Sequence, residues 1–302
     1  MPPVQGVEFI LGAVGNGFAL WIFCFHLKPW KSSTVLLFSL ALVNALLLVT
    51  LPFRISYYIS NLDWKFGNTF CSICQFLVGI NRCGNKVFPV TIALDRYMRV
   101  VHPHHPVNSM RVSRAACAAA VLWLLTVVMS GVLTPDKKKQ GYCGDFSSQC
   151  ERNKSWHRLG FQVVFWVSFL VILFCTLSIN QRLRRRRIAQ QTQVKNALLA
   201  MKAIVVLFVV CFLPSKITQL VIWVKASSMA TTDQRTACAE MGFLTIAYSL
   251  TMSLVYLDSV IAPVLYFSSS DFRSSLRGAL GLQPSLDSAE PEEESVSGPN
   301  DA

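Results

Sequence analysis

The stretch CSICQFLVGINRCGNKVFPVTIALDRYMRVV, residues 71–101, decides how the chain is interpreted. Its apolar character extends far enough to cross a bilayer, which takes roughly 20 mainly apolar residues. It nevertheless carries Arg82 inside the run and the charged tripeptide Asp95-Arg96-Tyr97 near one end. An arginine at membrane depth is costly and usually functional. The stretch therefore predicts a membrane-spanning helix with a functional cation inside the bilayer.

Similar apolar segments recur along the whole chain. The chain of 302 residues is 53% hydrophobic and 15% charged, whereas an average soluble protein is roughly 25% charged. Too little charged sequence is left to coat a large soluble protein with buried helices. We therefore expect an all-α membrane protein with seven transmembrane helices. The segments run near 7–27, 34–57, 73–100, 114–134, 160–180, 197–224 and 240–267.

The net charge of +12 is concentrated in alternate loops. By the positive-inside rule these loops are cytoplasmic and the N-terminus is extracellular. Three lysines, 137–139, weaken the contrast because they fall in a loop placed outside. A basic chain also suits nucleic-acid binding, but membrane topology explains the placement, so we expect no nucleic-acid partner. The basic residues of the inner loops are Lys28, Lys31, Arg99, Arg111, Arg114, Arg182 and Arg184 to Arg187.

The segments divide the chain into four parts. Residues 1–6 are expected to form a short extracellular N-terminus, and 7–267 the seven-helix transmembrane domain. Apolar and basic residues in 268–282 suit a short amphipathic eighth helix on the inner leaflet. The tail, 283–302, is rich in Glu, Ser, Gly and Pro and is expected to be disordered. The chain shows no internal repeat, which argues against a transporter.

The ten cysteines give no pattern of metal ligands. Cys71 and Cys74 form one CxxC pair, and no second pair accompanies it, so we expect neither a metal site nor a cofactor. No nucleophile, base and orienting acid lie together, so we expect no enzyme. Four cysteines fall at or in outer loops, where an oxidising environment permits disulfides: Cys71, Cys143, Cys150 and Cys238.

Several motifs in combination resemble those of the rhodopsin-like (class A) G-protein-coupled receptors. Within that family the chain is similar to the hydroxycarboxylic acid receptors and their neighbours, the receptors for oxo- and hydroxy-eicosanoids. The resemblance covers nearly all of residues 7–275 and implies a plasma-membrane receptor that acts through a Gi-type heterotrimeric G protein. The motifs are GNGFALWIFCFHLKPWKSS at 15–33, LPF at 51–53, DWKFG at 63–67, INRCG at 80–84, DRYMRVVHPHH at 95–105, CFLPS at 211–215 and YLDSVIAPVLYFSSSDF at 256–272.

The resemblance implies that Arg82 anchors the carboxylate of the ligand. A guanidinium offers a planar fork that binds a carboxylate through two hydrogen bonds. Tyr256 matches a family position that hydrogen-bonds the ligand. The alternative for Arg82 is a salt bridge inside the bundle with Asp258, where relatives usually carry an amide. A ligand would then meet an arginine that is already neutralised.

Three further positions differ from a receptor for small hydroxy acids. Gln219 stands where those receptors place a second arginine, and Asp145 replaces a serine that faces the ligand. Lys216 either supplies a compensating cation or extends its charge towards water. Because the eicosanoid branch also lacks the second arginine, a small hydroxy acid and a hydroxy or oxo fatty acid both remain open.

The resemblance also implies how the outer loops are tied. It pairs Cys71 with Cys143. Cys150 and Cys238 match cysteines that relatives tie to a cysteine in the N-terminus, and this sequence has none there. They either pair with each other, or stay free, or this N-terminus is incomplete. Asn153 opens the glycosylation sequon Asn153-Lys154-Ser155.

On the inner face, the resemblance implies that Asp95 and Arg96 form an ion pair that caps the resting state. Tyr97 completes the motif, and Arg99 adds to a basic face for the G protein. Five other positions depart from the family pattern, so a signalling-impaired or decoy heptahelical protein remains an alternative. They are Asn44, Lys86, Pro89, Ser168 and Ala262.

Overall fold

The computed structural model describes residues 2–61, 63–133, 143, 156–186, 192–228 and 234–281. Helices dominate these ranges, and no strand occurs within them. The helices are α1 (Pro2–Trp21), α2 (Ser32–Ile59), α3 (Asn68–Val101), α4 (Val112–Leu133), α5 (Trp156–Arg186), α6 (Thr192–Leu207), α7 (Leu213–Ser228), α8 (Gln234–Tyr256), α9 (Asp258–Phe267) and α10 (Ser270–Ala279).

Seven spans result from these helices, as the sequence predicts. Helices α1 to α5 each form one span. A π-helical turn, Phe208–Phe212, joins α6 to α7 in span six, and α8 continues into α9 in span seven. Six stretches of the described chain have the length and apolar composition to cross a membrane. Helix α3 has 34 residues and supplies the remaining span, which carries the charged side chains of Arg82, Lys86, Asp95, Arg96 and Arg99.

The surface of the bundle is apolar where a soluble protein would be polar. Large side chains such as Val121, Leu124 and Leu170 are more than 60% exposed. Exposed apolar patches of this extent mark a surface that contacts something other than water. This apolar surface is therefore the face of the bundle that contacts the lipid chains.

Polar and glycine residues decide how closely the first three spans and span seven approach. The Asn16 amide donates to the carbonyl oxygen of Ser259 at 2.6 Å, and the Tyr266 hydroxyl donates to Asn16 Oδ1 at 3.0 Å. These bonds tie α1 to α9. At Gly84 an added Cβ would lie 2.8 Å from the Val43 side chain, so α2 and α3 touch there.

Helix α3 continues through Pro89 to Val101. Pro89, one of the departures from the family pattern, does not end the helix. Proline cannot donate a hydrogen bond to the carbonyl of Asn85, but in a membrane bundle neighbouring helices tolerate this loss. Helix α10 follows span seven inside the range expected for an amphipathic helix, and its Phe272 is buried against Phe23 and Tyr266. The tail predicted as disordered lies outside the described residues.

Candidate ligand-binding site

A cavity opens among spans three, five, six and seven. Helix α3 contributes Arg82 and Lys86 to its wall, and α7 contributes Lys216 and Gln219. These side chains come together because each pair lies three or four residues apart, which places both members on one face of a helix. The lining residues are Arg82, Lys86, Phe161, Phe212, Ser215, Lys216, Gln219, Tyr248, Met252 and Val255. Three are cations, and this lining includes no acid.

In the sequence, Lys86 stands out only as a departure from the family pattern in span three, but the structure places its side chain in the wall of the cavity. Its side chain is 2% exposed. The ammonium donates to the backbone carbonyl of Arg82 and lies 5.0 Å from the centre of the Phe212 ring. The sequence did carry a signal for this position, since Lys86 follows Arg82 by four residues and so shares its face of the helix.

Lys216 also points its charge into the cavity. Its ammonium donates to Gln219 Oε1 at 3.1 Å and lies 5.8 Å from the centre of the Phe161 ring. Across the bundle, the Gln162 amide donates to the backbone carbonyl of Lys216 at 3.0 Å and links α5 to α7. Of the two possibilities that the sequence left open for Lys216, the geometry favours the compensating cation.

Tyr256 is not among the residues that line this cavity. It is 4% exposed and packs against Leu47, Leu48, Leu51 and Val78. The Arg54 guanidinium lies 5.6 Å from the centre of its ring. The tyrosine of span seven that reaches the cavity is Tyr248, two helical turns earlier. Arg54 was missed in the sequence, although an arginine within an apolar segment is the signal that drew attention to Arg82.

Asp258 hydrogen-bonds an amide rather than the anchoring arginine. It is 1% exposed and accepts a hydrogen bond from the Asn85 side chain. The same Asn85 amide donates to Asn44 Oδ1 at 3.0 Å, and Asn81 donates to that oxygen at 3.2 Å. The predicted alternative, a salt bridge between Arg82 and Asp258, is therefore wrong. Asn81, Asn44, Asn85 and Asp258 thus form one connected chain of buried hydrogen bonds.

At the other end of α3, Asp95 pairs with Arg99. The Arg99 Nε donates to both carboxylate oxygens at 3.0 and 3.1 Å, and the Ser33 hydroxyl donates to Asp95 at 2.7 Å. Arg99 also donates to the Ser32 hydroxyl at 2.8 Å. The Arg96 Nε is buried without a hydrogen-bond partner. The ion pair that the described residues show for Asp95 is the one with Arg99, not the expected one with Arg96. Side chains four apart meet on a helix, whereas adjacent ones do not.

The other residues predicted from the sequence are only partly described. A disulfide joins Cys71 to Cys143, with a Cα–Cα distance of 5.8 Å, which confirms that pairing. Tyr97 packs against Phe174. Asp145, Cys150 and Asn153 lie outside the described residues. Cys238 belongs to α8, but its side chain is not described.

The bundle with a cavity between its spans defines a heptahelical receptor. The family model described as 7 transmembrane receptor (rhodopsin family) matches residues 15–266. The chain belongs to this family, so it is a multi-pass plasma-membrane protein and a receptor rather than an enzyme. Small-molecule ligands and G proteins are the partners of such receptors.

The curated relatives narrow the comparison. The chain is 38% identical to human (Homo sapiens) hydroxycarboxylic acid receptor 2 over 277 residues, which cover 89% of this chain and 74% of the relative. It is 39% identical to human hydroxycarboxylic acid receptor 3 over 277 residues, 89% of this chain and 70% of that protein. It is 35% identical to human oxoeicosanoid receptor 1 over 285 residues, 93% and 72% of the two chains. The resemblance inferred from the motifs is confirmed.

Proposed function

We propose that the protein is a receptor for a carboxylic acid that binds among spans three, five, six and seven. The carboxylate binds Arg82, the N-terminus is extracellular, and the partner on the inner face is a Gi-type G protein. The observation that carries the proposal is the convergence of Arg82, Lys86 and Lys216 on one cavity whose described wall includes no acid.

The cavity suits an acid for electrostatic reasons. A hydrogen bond between a guanidinium and a carboxylate is roughly twice as strong as one between neutral groups. Such a bond gains further strength where water is scarce. An alcohol or amide of the same shape could not form such charge-assisted hydrogen bonds with both partners ionised. The wall therefore selects anions.

The other residues of the cavity wall indicate which groups the acid carries besides its carboxylate. Gln219 and Tyr248 supply polar groups for a hydroxyl or keto group. Phe161, Phe212 and Met252 supply apolar surface for a carbon chain. This mixture of a few polar groups in an apolar wall is typical of small-molecule sites.

A second ligand class, the hydroxy or oxo fatty acids, is favoured by one observation. Receptors for small hydroxy acids that resemble this chain carry a second arginine at the position of Gln219. Gln219 is neutral, so the cavity wall lacks that arginine. The relative named oxoeicosanoid receptor 1 is 35% identical to this chain. A long apolar chain would extend along the aromatic side of the cavity.

The proposal is tested by inhibition of cAMP production in cells. The wild type, Arg82→Ala and Lys225→Ala are compared with 3-hydroxybutyrate, lactate and oxo-eicosanoids, at matched surface levels and with and without pertussis toxin. Lys225 is exposed, lies on the same helix as Lys216 and does not line the cavity, so it controls for charge. Loss of a hydrogen bond to a charged group costs about 1.5–3 kcal/mol, so Arg82→Ala should lower potency by roughly ten- to a hundredfold.

Each outcome of this experiment has a clear meaning. A toxin-sensitive response that is lost in Arg82→Ala and kept in Lys225→Ala supports the proposal, and the active acid identifies the ligand class. Equal potency in the wild type and Arg82→Ala contradicts it. A silent but well-expressed wild type would instead favour a signalling-impaired receptor.

A further inference from the structure

Lys86 and Asp258 both depart from the family pattern, and the fold brings them into the same interior region of the bundle. Asp258, on span seven, accepts a hydrogen bond from the side chain of Asn85, the residue that precedes Lys86 on α3. The carboxylate also attracts the Lys86 ammonium electrostatically. Lys86 is 2% exposed and Asp258 is 1% exposed. A buried charge on span three is therefore coupled to an opposite buried charge on span seven.

The same lysine belongs to the wall of the ligand cavity. Its ammonium donates to the backbone carbonyl of Arg82. It also lies 5.0 Å from the centre of the Phe212 ring, in the π-helical turn of span six. An ammonium carries three N–H donors, so the bond to Arg82 leaves it capable of further contacts. One side chain therefore links the cavity, span six and the buried acid of span seven.

Asn85 extends this link to span two. Its amide donates to Asp258 and also to Asn44 Oδ1 at 3.0 Å, and Asn81 donates to the same oxygen at 3.2 Å. In a buried network each lost hydrogen bond is costly, because the surroundings offer few replacements. Packed interiors therefore change between discrete arrangements rather than deforming continuously. A shift of the Lys86 charge acts on a network that spans two, three and seven share.

An acid in the cavity changes the charges that Lys86 meets. Arg82 repels the Lys86 ammonium, and Asp258 attracts it. A carboxylate bound to Arg82 offsets the repulsion and adds an attraction on the cavity side, so the ligand and Asp258 compete for one ammonium. Opposite charges buried together are often no more stabilising than apolar residues of similar volume, and their best-attested use is in specifying or switching a structural state. The arrangement therefore suits a contact that is made in one state and released in another.

We propose that Lys86 and Asp258 form a latch between spans three and seven that holds the resting state of the receptor. The acid in the cavity releases this latch by drawing the Lys86 ammonium towards the ligand. The release rests on the proposed function, because it requires an acid on Arg82. The latch itself does not, so the two parts are tested separately.

The first test needs no ligand. Nucleotide exchange is measured on a panel of Gi, Gs and Gq proteins with receptors in nanodiscs at matched levels, each variant being checked for folding by its Tm. Lys86→Met and Asp258→Asn should each raise basal exchange roughly fivefold or more, the lower end of typical coupling between sites. The double variant should exceed neither single variant, because all three break the same contact. Lys225→Met, which removes an exposed lysine of α7, should leave basal exchange unchanged.

The second test adds saturating 3-hydroxybutyrate, lactate or an oxo-eicosanoid, with binding verified by a rise in Tm. An acid that binds should raise exchange by the wild type and Lys225→Met roughly fivefold or more over their basal rates. Lys86→Met should bind the same acid at saturation but raise exchange less than about twofold, because its latch is already open. Should Lys86→Met fail to fold, Lys86→Gln takes its place, and the result for Asp258→Asn stands without either.

Three results would overturn the inference or a part of it. Basal exchange that rises in neither single variant contradicts the latch. So does a double variant whose increase is the product of the two single increases, since independent sites add in free energy. A full response of Lys86→Met to the acid contradicts the release by ligand. If Arg82→Ala binds every acid as the wild type does, the proposed function itself is wrong, and the ligand-free comparison still decides the latch.

Discussion

Replacing Arg99 by alanine should raise the activity of the receptor in the absence of ligand. Arg99 holds Asp95 through two contacts of 3.0 and 3.1 Å and reaches Ser32 on α2 at 2.8 Å. The side chains are only partly exposed, 33% for Arg99 and 17% for Asp95. A partly shielded ion pair of about 0.5–1 kcal/mol and a hydrogen bond of about 0.5–1 kcal/mol together give about 1–2 kcal/mol. If these contacts belong to the resting state, the active fraction should rise roughly 5- to 30-fold.

The assay is ligand-independent nucleotide exchange on a Gi protein by membranes with matched receptor levels. Arg111→Ala is the control, because Arg111 is an exposed arginine just before α4. The expected result is higher basal exchange for Arg99→Ala and no change for Arg111→Ala. Basal exchange that rises in Asp95→Ala but not in Arg99→Ala would refute the reasoning, because Asp95 would then act through a different partner.

Two further predictions concern packing and charge. Gly84→Ala should lower the free energy of unfolding by about 1–3 kcal/mol, because its Cβ would meet the Val43 side chain at 2.8 Å. Gly17→Ala, whose Cβ meets nothing within 4 Å, should not lower it. Equal Tm values for the wild type and both variants in nanodiscs would contradict this prediction. Asp258→Asn should strengthen binding of the acid roughly fivefold, because it removes about 1 kcal/mol of electrostatic repulsion between Asp258 and the anion. The introduced amide can still accept the hydrogen bond from Asn85. Unchanged or weaker affinity in a direct binding assay would contradict this prediction.

The spans could be predicted because their signal is local. Apolar length and the distribution of basic loops depend only on composition along the chain. The passage of α3 through Pro89 could not be foreseen in the same way. Whether a proline breaks a helix in a membrane depends on the groups that neighbouring helices supply, and those groups are fixed only by the fold.

The candidate site was predicted in part. Arg82 stands out because a cation in an apolar segment is rare, and Lys216 and Gln219 follow from the resemblance. Lys86 was treated as a defect although helical periodicity already placed it on the face of Arg82. Tyr256 matches a family ligand position but lies outside the lining of this cavity, since a family position does not determine which way a side chain of span seven faces.

The contacts at the C-terminal end of α3 were also only partly predictable. Neighbours in sequence, Asp95 and Arg96, were expected to pair, yet residues four apart are the ones that share a helix face. The serines of α2 that complete this contact, Ser32 and Ser33, carry no sequence signal of their own. Their role follows only from the packing of α2 against α3.

The central claim is that Arg82 binds the acidic group of the ligand. The most direct test is equilibrium binding of an active labelled acid to purified wild type, Arg82→Ala and Lys225→Ala in nanodiscs. Binding at the wild-type level by Lys225→Ala, together with a loss of roughly tenfold or more in affinity for Arg82→Ala, is the result that the account predicts. Wild-type affinity in a folded Arg82→Ala receptor would contradict it.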